Sequence, residues 1–239
     1  MEETTKSAAS LPSKNSSLWL LKHEVDDEQF LRIICDFARL IRRSEKACDE
    51  AARQDNPNYR AFVIDAECDY LEELVGSSFL LLQAKIRRVR RAAKELNAFM
   101  NDQHGLAVDI QDEKIINLHG SYRNSEHSQI KLIWEIGNYY KHRDEWDHEV
   151  WEDVPAQGRD PLEQPRRTRR TVQAIGIVQF STGNLRQAYE FFEIQPYSKC
   201  EKLAKEVQAW AKDVYQLAKE ECQRATDEHI QKQHAGRAV

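Results

Sequence analysis

The spacing of apolar residues predicts a chain built from long helices. From Asp26 to about Arg53, apolar side chains recur every three or four residues, which gives an α-helix one apolar face. Asp26 and Asp27 suit the start of this helix, because carboxylates cap free backbone N–H groups and favour the positive end of the helix dipole. After the turn at Asn56-Pro57-Asn58, the same period continues over residues 58–102, so the two helices should form a long antiparallel hairpin.

The second half of the chain shows shorter apolar patterns. A third helix is expected from Asn124 or Ser125 to about Trp146, and Thr182-Gly183-Asn184 should begin a short helix. Ser198 should open a last amphipathic helix. The residues that these spacings turn inward, and that should be mostly buried, are Leu71, Leu74, Leu82, Ile86, Trp134, Trp210 and Val214.

The remaining segments complete the predicted organisation. Residues 147–170 hold three prolines and an arginine cluster and predict a loop or insertion, whereas residues 172–180 fit either a strand or a short helix. The chain is therefore expected to be an all-α bundle of four to six helices, folded as one domain over residues 18–225. A disordered polar tail at residues 1–17 and a flexible tail at residues 226–239 should flank it.

Composition agrees with this fold and narrows the function. The 8 Gly and 6 Pro are too few for a protein of many strands and turns. No segment approaches the roughly 18 apolar residues of a membrane span, and no apolar signal segment opens the chain, so we expect a cytoplasmic protein without membrane contact. The net charge of -5 argues against coating nucleic acid by bulk charge, although local basic patches remain compatible with binding. The five cysteines include no C-x-x-C pair, which favours reduced thiols over disulfides or a zinc site.

The third helix has a polar stripe with two interpretations. At 100° per residue, one side of this helix carries Lys131, Glu135, Asn138, His142 and Glu145. These residues form either a solvated face with internal ion pairs or part of a buried groove or subunit contact. The second interpretation is favoured by the surrounding aromatic residues, which are Trp134, Tyr139, Tyr140 and Trp146.

This helix resembles the motif of the HEPN superfamily, whose helical-bundle members have an Arg, often followed by Asn, and a His separated from that Arg by four to six residues. The resemblance covers Gly137 to His142. Asn138 stands in the place of the polar residue and His142 in that of the His, with Lys141 before it, whereas Gly137 stands in the place of the Arg.

The resemblance implies a metal-independent endoribonuclease or an inactive relative, of the kind found among toxins and antiphage proteins. Two copies would pair their motif helices, so a homodimer is expected, and an antitoxin or another protein is a further expected partner; no cofactor is implied. The His would move a proton at the ribose 2'-OH and the leaving oxygen, while a cation stabilises the phosphate charge. The expected catalytic residues are His142 and Asn138, with Arg143, Arg123 or Lys141 replacing the missing cation.

Two basic clusters and Lys141 are candidates for RNA binding. Arg87, Arg90, Arg91 and Lys94 share one face of the second helix and are suitable for following a phosphate backbone, or else form a solvated face balanced by the acidic first half of that helix. Arg166 and Arg167, with Arg169 and Arg170, lie in the predicted loop, which fits RNA or an acidic protein partner.

Two alternatives remain open. A metal site formed by His142, Asp144 and His148, with Glu135 or Asp147 as a further ligand, would use the i, i+4 spacing of Asp144 and His148. A noncatalytic helical interaction or dimerisation protein would use the polar stripe only as a contact surface.

Overall fold

The computed structural model describes residues 14–104, 106, 108–146, 148–152, 161–179 and 181–237, and within them the regular structure is helical with no strand, as predicted. No helix in these ranges combines the length and apolar character needed to cross a membrane. The helices are α1 (Lys14–Val25), α2 (Glu28–Ala52), α3 (Pro57–His104), α4 (Asp112–Ile116), α5 (Gln129–His142), α6 (His148–Trp151), α7 (Glu163–Gln173), α8 (Asn184–Phe191) and α9 (Glu201–Arg237), with short 3-10 helices at Arg143–Glu145 and Tyr197–Lys199.

Helix α3 is the centre of the bundle, in contact with α1, α2, α5, α8 and α9. The predicted hairpin of α2 and α3 is confirmed, and six of the seven residues expected in the core are buried, all except the half-buried Trp134. Trp210 of α9 is fully buried, and its Nε1 donates to the Ile115 carbonyl oxygen at 2.7 Å. This bond ties α4 to the last helix.

Two glycines let α3 and α5 come close together. A Cβ on Gly76 of α3 would overlap the ring of Tyr140 of α5. A Cβ on Gly137 of α5 would lie only 2.9 Å from Cβ and Cδ of Gln83 of α3. Each helix thus has a glycine where a side chain of the other helix fills the space, so a larger residue does not fit at either position.

Carboxylates from the hairpin cap elements that follow much later in the chain. Glu72 of α3 accepts from the backbone N–H groups of Leu185 at 2.8 Å and Arg186 at 3.3 Å, at the start of α8. Glu45 of α2 accepts from the N–H of Tyr197 at 2.6 Å. These bonds attach the start of α8 and the segment before α9 to the hairpin.

Helix α5 begins later than the sequence indicated. Ser128, rather than Asn124 or Ser125, caps it by accepting from the Lys131 N–H at 3.1 Å, and the Ser128 hydroxyl also donates to the Ile116 carbonyl at 2.6 Å. The residues before it form a turn, in which the Tyr122 N–H donates to the His127 carbonyl at 2.8 Å. The start of α5 is therefore set by a contact with α4.

The predicted loop at residues 147–170 is wrong for its second part, because α7 begins at Glu163. Pro165 does not prevent this, since the N–H groups of the first helical turn have no partner within the helix. Arg166 and Arg169 are buried, and they donate to the carbonyls of Glu149 and Trp151 respectively. Residues 147 and 153–160 lie outside the described residues.

Of the segment 172–180, for which the sequence allowed a strand or a short helix, residues 172 and 173 belong to the end of α7, and residues 174–179 form neither a strand nor a helix. The chain turns at residues 174–176, where Gly176 has a φ of 91°. Position 176 therefore requires a left-handed backbone conformation, which suits glycine. Residue 180 lies outside the described part.

The helices at both ends extend into the segments predicted as tails. Helix α1 begins at Lys14, inside the predicted tail, while residues 1–13 lie outside the described residues. Helix α9 continues past Ala225 to Arg237. Pairs at i, i+4 stabilise this extension, such as Arg224 with Glu228 at 2.6 Å.

The buried indole of Trp210 should dominate the stability of the α4–α9 contact. Trp210→Ala is expected to lower the free energy of unfolding by about 3–5 kcal/mol, because it leaves a cavity and removes the bond to Ile115. Trp19, which is 61% exposed, provides the control, and Trp19→Ala should change the free energy of unfolding by less than about 0.5 kcal/mol. Denaturant titration of both variants measures the difference, and equal losses would contradict the assigned core.

Candidate functional site

A cleft of about 360 Å³ lies between the end of α5, α6 and the start of α7. We call it the His142 cleft. Its polar lining comes mainly from α5 and α7, and its apolar lining from the segment around α6 and from the start of α7. The described lining residues are Asn138, His142, Glu145, Trp146, Val150, Leu162, Gln164, Pro165 and Thr168.

The imidazole of His142 lies at the mouth of this cleft. Its side chain is 38% exposed, and Nδ1 lies 2.8 Å from Oε2 of Glu145, three residues later in the 3-10 helix. No other hydrogen bond to the His142 imidazole occurs among the described residues. When Nδ1 carries the proton and donates it to Glu145, Nε2 is left as an acceptor for a ligand.

A buried carboxylate holds two of the side chains that line the cleft. Glu135 has no exposed surface, and its carboxylate lies 2.7 Å from Nζ of Lys131. The Thr168 hydroxyl donates to it at 2.7 Å and the Asn138 amide at 3.0 Å. Burial by itself would raise the pKa of Glu135, but the hydrogen bonds from Lys131 and Thr168, the charge of Lys131 and the Asn138 amide together lower it. Glu135 is therefore a buried anion, and the solvated-face interpretation of the polar stripe is wrong at this position.

Gln83 of α3 fixes the amide of Asn138 from the other side. Its Nε2 donates to Oδ1 of Asn138 at 2.6 Å and to the Trp134 carbonyl at 2.9 Å. Held between Gln83 and Glu135, Asn138 has one defined amide orientation. Asn138 and His142 lie about 40° apart around the helix, since a residue advances about 100°, so both side chains reach the cleft.

Gly137, by contrast, faces α3. It is buried and packed against Gln83, about 140° around the helix from His142. An arginine at this position would point into the α3–α5 contact instead of the cleft. The departure from the HEPN-like motif thus has a local physical reason.

The predicted replacement cations lie elsewhere. Arg143 binds the carboxylate of Glu73 and stacks over the Tyr140 ring, 4.7 Å from its centroid, beside a separate cavity of about 540 Å³. Arg123 pairs with Glu193 at 2.6 Å. Lys141 is exposed but does not line the cleft. Among the described residues that line the cleft, none is Lys or Arg.

A second groove, of about 500 Å³, contains three residues of the predicted basic face. We call it the basic groove and define it by Arg87, Arg90, Lys94 and Trp134. The Arg90 guanidinium stacks 4.4 Å from the centroid of the Trp134 ring, and its Nε donates to Asp112 at 2.6 Å. The hydrogen bond from Arg90 lowers the pKa of Asp112. Arg87 and Lys94 are exposed and form no ion pair within the described residues.

The basic groove and the His142 cleft lie along one seam. Trp134, Asn138 and His142 follow each other at i, i+4 on α5, and Gln83 bridges the first two. Gln83 also precedes Arg87 by one turn of α3. The seam therefore leads from a cationic groove to a cleft without a cation.

The other residues predicted to bind RNA differ in exposure. Arg91 is exposed and pairs with Glu95 at 2.8 Å, and Arg167 is exposed and donates to Gln164 at 2.8 Å. Arg166 is buried on the Glu149 carbonyl, so it supports the packing of α7 instead of forming an exposed surface.

The alternative metal site has no support among the described residues, where no three His, Cys, Asp or Glu side chains group closely enough to hold a metal ion. One of its proposed ligands, Asp147, lies outside them.

The sequence did not indicate Thr168, Gln164 or Gln83 as parts of this site. Thr168 and Gln164 fall in the segment predicted as a loop, and Gln83 is one polar residue in an apolar helix. Glu145, at i+3 from His142, belonged to the polar stripe that the helical period revealed.

No protein-family model, curated protein or solved structure matches this chain. The resemblance to the HEPN superfamily therefore depends on the residues of α5.

The packing around Gly137 gives a direct test of the motif. Gly137→Arg should lower the free energy of unfolding by about 1–3 kcal/mol or more, because the new side chain overlaps Gln83. Gly137→Ala should cost less, since it adds only a Cβ and gains up to about 1 kcal/mol of helix propensity. Denaturant titration compares them, and a Gly137→Arg variant as stable as the native protein would show that the arginine reaches the cleft.

The buried anion should give a pH-dependent contribution to stability. Because its pKa is lower in the folded state, Glu135 stabilises the fold above its ordinary pKa, and this contribution disappears as the pH falls through the folded-state value. Glu135→Gln should thus cost about 1–3 kcal/mol at pH 7 and progressively less in acid below pH ~4.5. Glu95→Gln, which breaks the exposed pair with Arg91, is the control and should change stability by less than about 0.5 kcal/mol at any pH. A constant difference from pH 7 to pH 3 would contradict the assignment.

Proposed function

We propose that this chain is an HEPN-like helical protein that binds single-stranded RNA. The basic groove would hold the backbone, and the His142 cleft would receive a nucleotide at the end of the seam. The observation that supports this proposal is the continuity of the two along α3 and α5.

The basic groove has the chemistry of a single-strand site. Arg87 and Lys94 offer unpaired positive charges for phosphates, and Trp134 offers an aromatic surface with Arg90 stacked on it. From Gln83 to Lys94 the seam follows α3 for about 16 Å, given a rise of 1.5 Å per residue.

The cleft favours binding over cutting. His142 is accessible and able to exchange a proton, but the charge that develops on a cleaved phosphate needs a positive neighbour. Arg143 is held by Glu73 and Arg123 by Glu193, so neither serves within this copy. We therefore expect binding with little or no cleavage.

Removing the free charges of the groove should weaken RNA binding. In fluorescence anisotropy with a labelled single-stranded RNA, Arg87→Ala/Lys94→Ala should raise Kd about tenfold or more at low salt. The slope of log K against log salt should fall by roughly 1.4, because each phosphate that a cation neutralises adds about 0.7 to that slope. Arg42→Ala/Arg43→Ala removes the same charge from an exposed face of α2 and should have a much smaller effect. Equal effects of the two pairs would show that only overall charge matters.

The same RNA, recovered after incubation and separated on a gel, should remain intact. Cleavage that disappears in His142→Ala would instead show that a second copy supplies the cation, as the HEPN resemblance implies for a homodimer. Such a result would replace binding by catalysis as the function of the cleft.

A second candidate function is self-association without catalysis. Three aromatic residues on the first turns of α3 are exposed, Tyr59 by 55%, Phe62 by 73% and Tyr70 by 46%. Exposed Asp65 and Asp69 accompany them, and a second copy lying antiparallel would bring these charges to the basic half of its α3. Light scattering would then show a salt-sensitive dimer that Phe62→Ser converts to a monomer.

A further inference from the structure

We infer that the His142 cleft is a nucleobase pocket that prefers a base with an exocyclic amino group, such as adenine or cytosine, over uracil. This inference depends on the proposed RNA binding and names what enters the cleft.

The lining of the cleft selects a neutral ligand with both a flat apolar surface and a polar edge. A volume of about 360 Å³ lies in the range of small-molecule pockets. A phosphate would find no cation among the described lining residues and would face the Glu145 carboxylate. A purely apolar ligand would leave the Nε2 of His142 and the remaining lone pairs of the Thr168 hydroxyl without partners. A heteroaromatic base meets both requirements, because its ring faces are apolar and its edge carries hydrogen-bonding groups.

Trp146 forms the apolar wall and is held in place by its neighbours. Its ring makes edge contacts with Tyr139, at a centroid distance of 5.5 Å and 62°, and with Trp151, at 5.7 Å and 68°. Because these contacts restrict its rotation, little entropy is lost when a base stacks on it. Stacking on an aromatic side chain typically strengthens binding by about tenfold per base.

The polar wall offers acceptors. The Thr168 hydroxyl gives its only proton to Glu135, so its oxygen retains only lone pairs for a ligand. The Nε2 of His142 is an acceptor when Nδ1–H is bound to Glu145. Two acceptors suit an exocyclic amino group, which has two protons to donate, whereas uracil has a single ring N–H.

The fold fixes the amide group of Asn138 beside these acceptors, because Gln83 and Glu135 hold it from two sides. The Gln164 side chain at the rim is exposed, and its Oε1 accepts from Arg167 at 2.8 Å. Amide groups in fixed orientations distinguish one base edge from another, because a mismatched edge leaves a polar group unpaired.

The experiment compares three labelled RNAs of ten nucleotides: oligouridine, the same strand with one adenosine at successive positions, and the same strand with one abasic position. In anisotropy titrations of the full chain, one adenosine position should strengthen binding about tenfold over oligouridine. The abasic strand should bind no better than oligouridine.

Variants then locate the preference. Trp146→Ala and His142→Ala should abolish the gain from adenosine, so that the adenosine strand binds no better than oligouridine to the same variant, whereas Trp146→Phe should retain most of it. Arg87→Ala/Lys94→Ala is the matched contrast and should weaken the adenosine and oligouridine strands equally. If Trp146→Ala fails to fold, the exposed His142→Ala variant and the RNA comparison decide the question without it.

The outcomes separate the two proposals. Absence of binding to every strand overturns the proposed function itself. Binding of all strands with equal affinity leaves RNA binding in place and overturns the base pocket. An adenosine preference that survives both His142→Ala and Trp146→Ala also overturns it, since the base is then read elsewhere.

Discussion

The close approach of α3 and α5 is the constraint on which the rest of the molecule depends. It is reciprocal, with Gly76 making room for Tyr140 and Gly137 making room for Gln83. Because both glycines lie in helix interiors, where the residue costs about 1 kcal/mol relative to alanine, the contact must compensate with packing and hydrogen bonds. It brings Gln83 to Asn138, and through Asn138 it aligns the groove with the cleft.

The same constraint determines how the polar stripe of α5 is used. With Gly137 against α3, Glu135 turns toward α7 and into the interior, where Lys131, Thr168 and Asn138 satisfy its charge. Such a buried anion is stable only when every partner is present, so α7 must dock on α5 in one register. The register places Thr168 and Gln164 beside His142.

The sequence predicted what depends on local periodicity and missed what depends on distant partners. The α2–α3 hairpin and residues such as Leu82 and Val214 follow from spacing alone. The start of α5 does not, because Ser128 is also bound to the Ile116 carbonyl. The burial of Glu135 does not either, since its partner Thr168 is 33 residues away in a segment that prolines marked as a loop. The resemblance to the HEPN motif depends only on the spacing of residues along α5, whereas the direction of position 137 depends on the neighbouring helix α3.

The carboxylate of Glu72 has a consequence for the order in which the chain folds. Helix α8 has eight residues, too few for an isolated helix to persist in water, and its first free N–H groups are satisfied by a residue more than 100 positions earlier. It therefore lacks its cap until α3 is formed and in place. Helix α8 therefore assembles on the hairpin after the hairpin has formed. Its contacts form after the folding transition state, so the stability that they add mainly slows unfolding of the native protein.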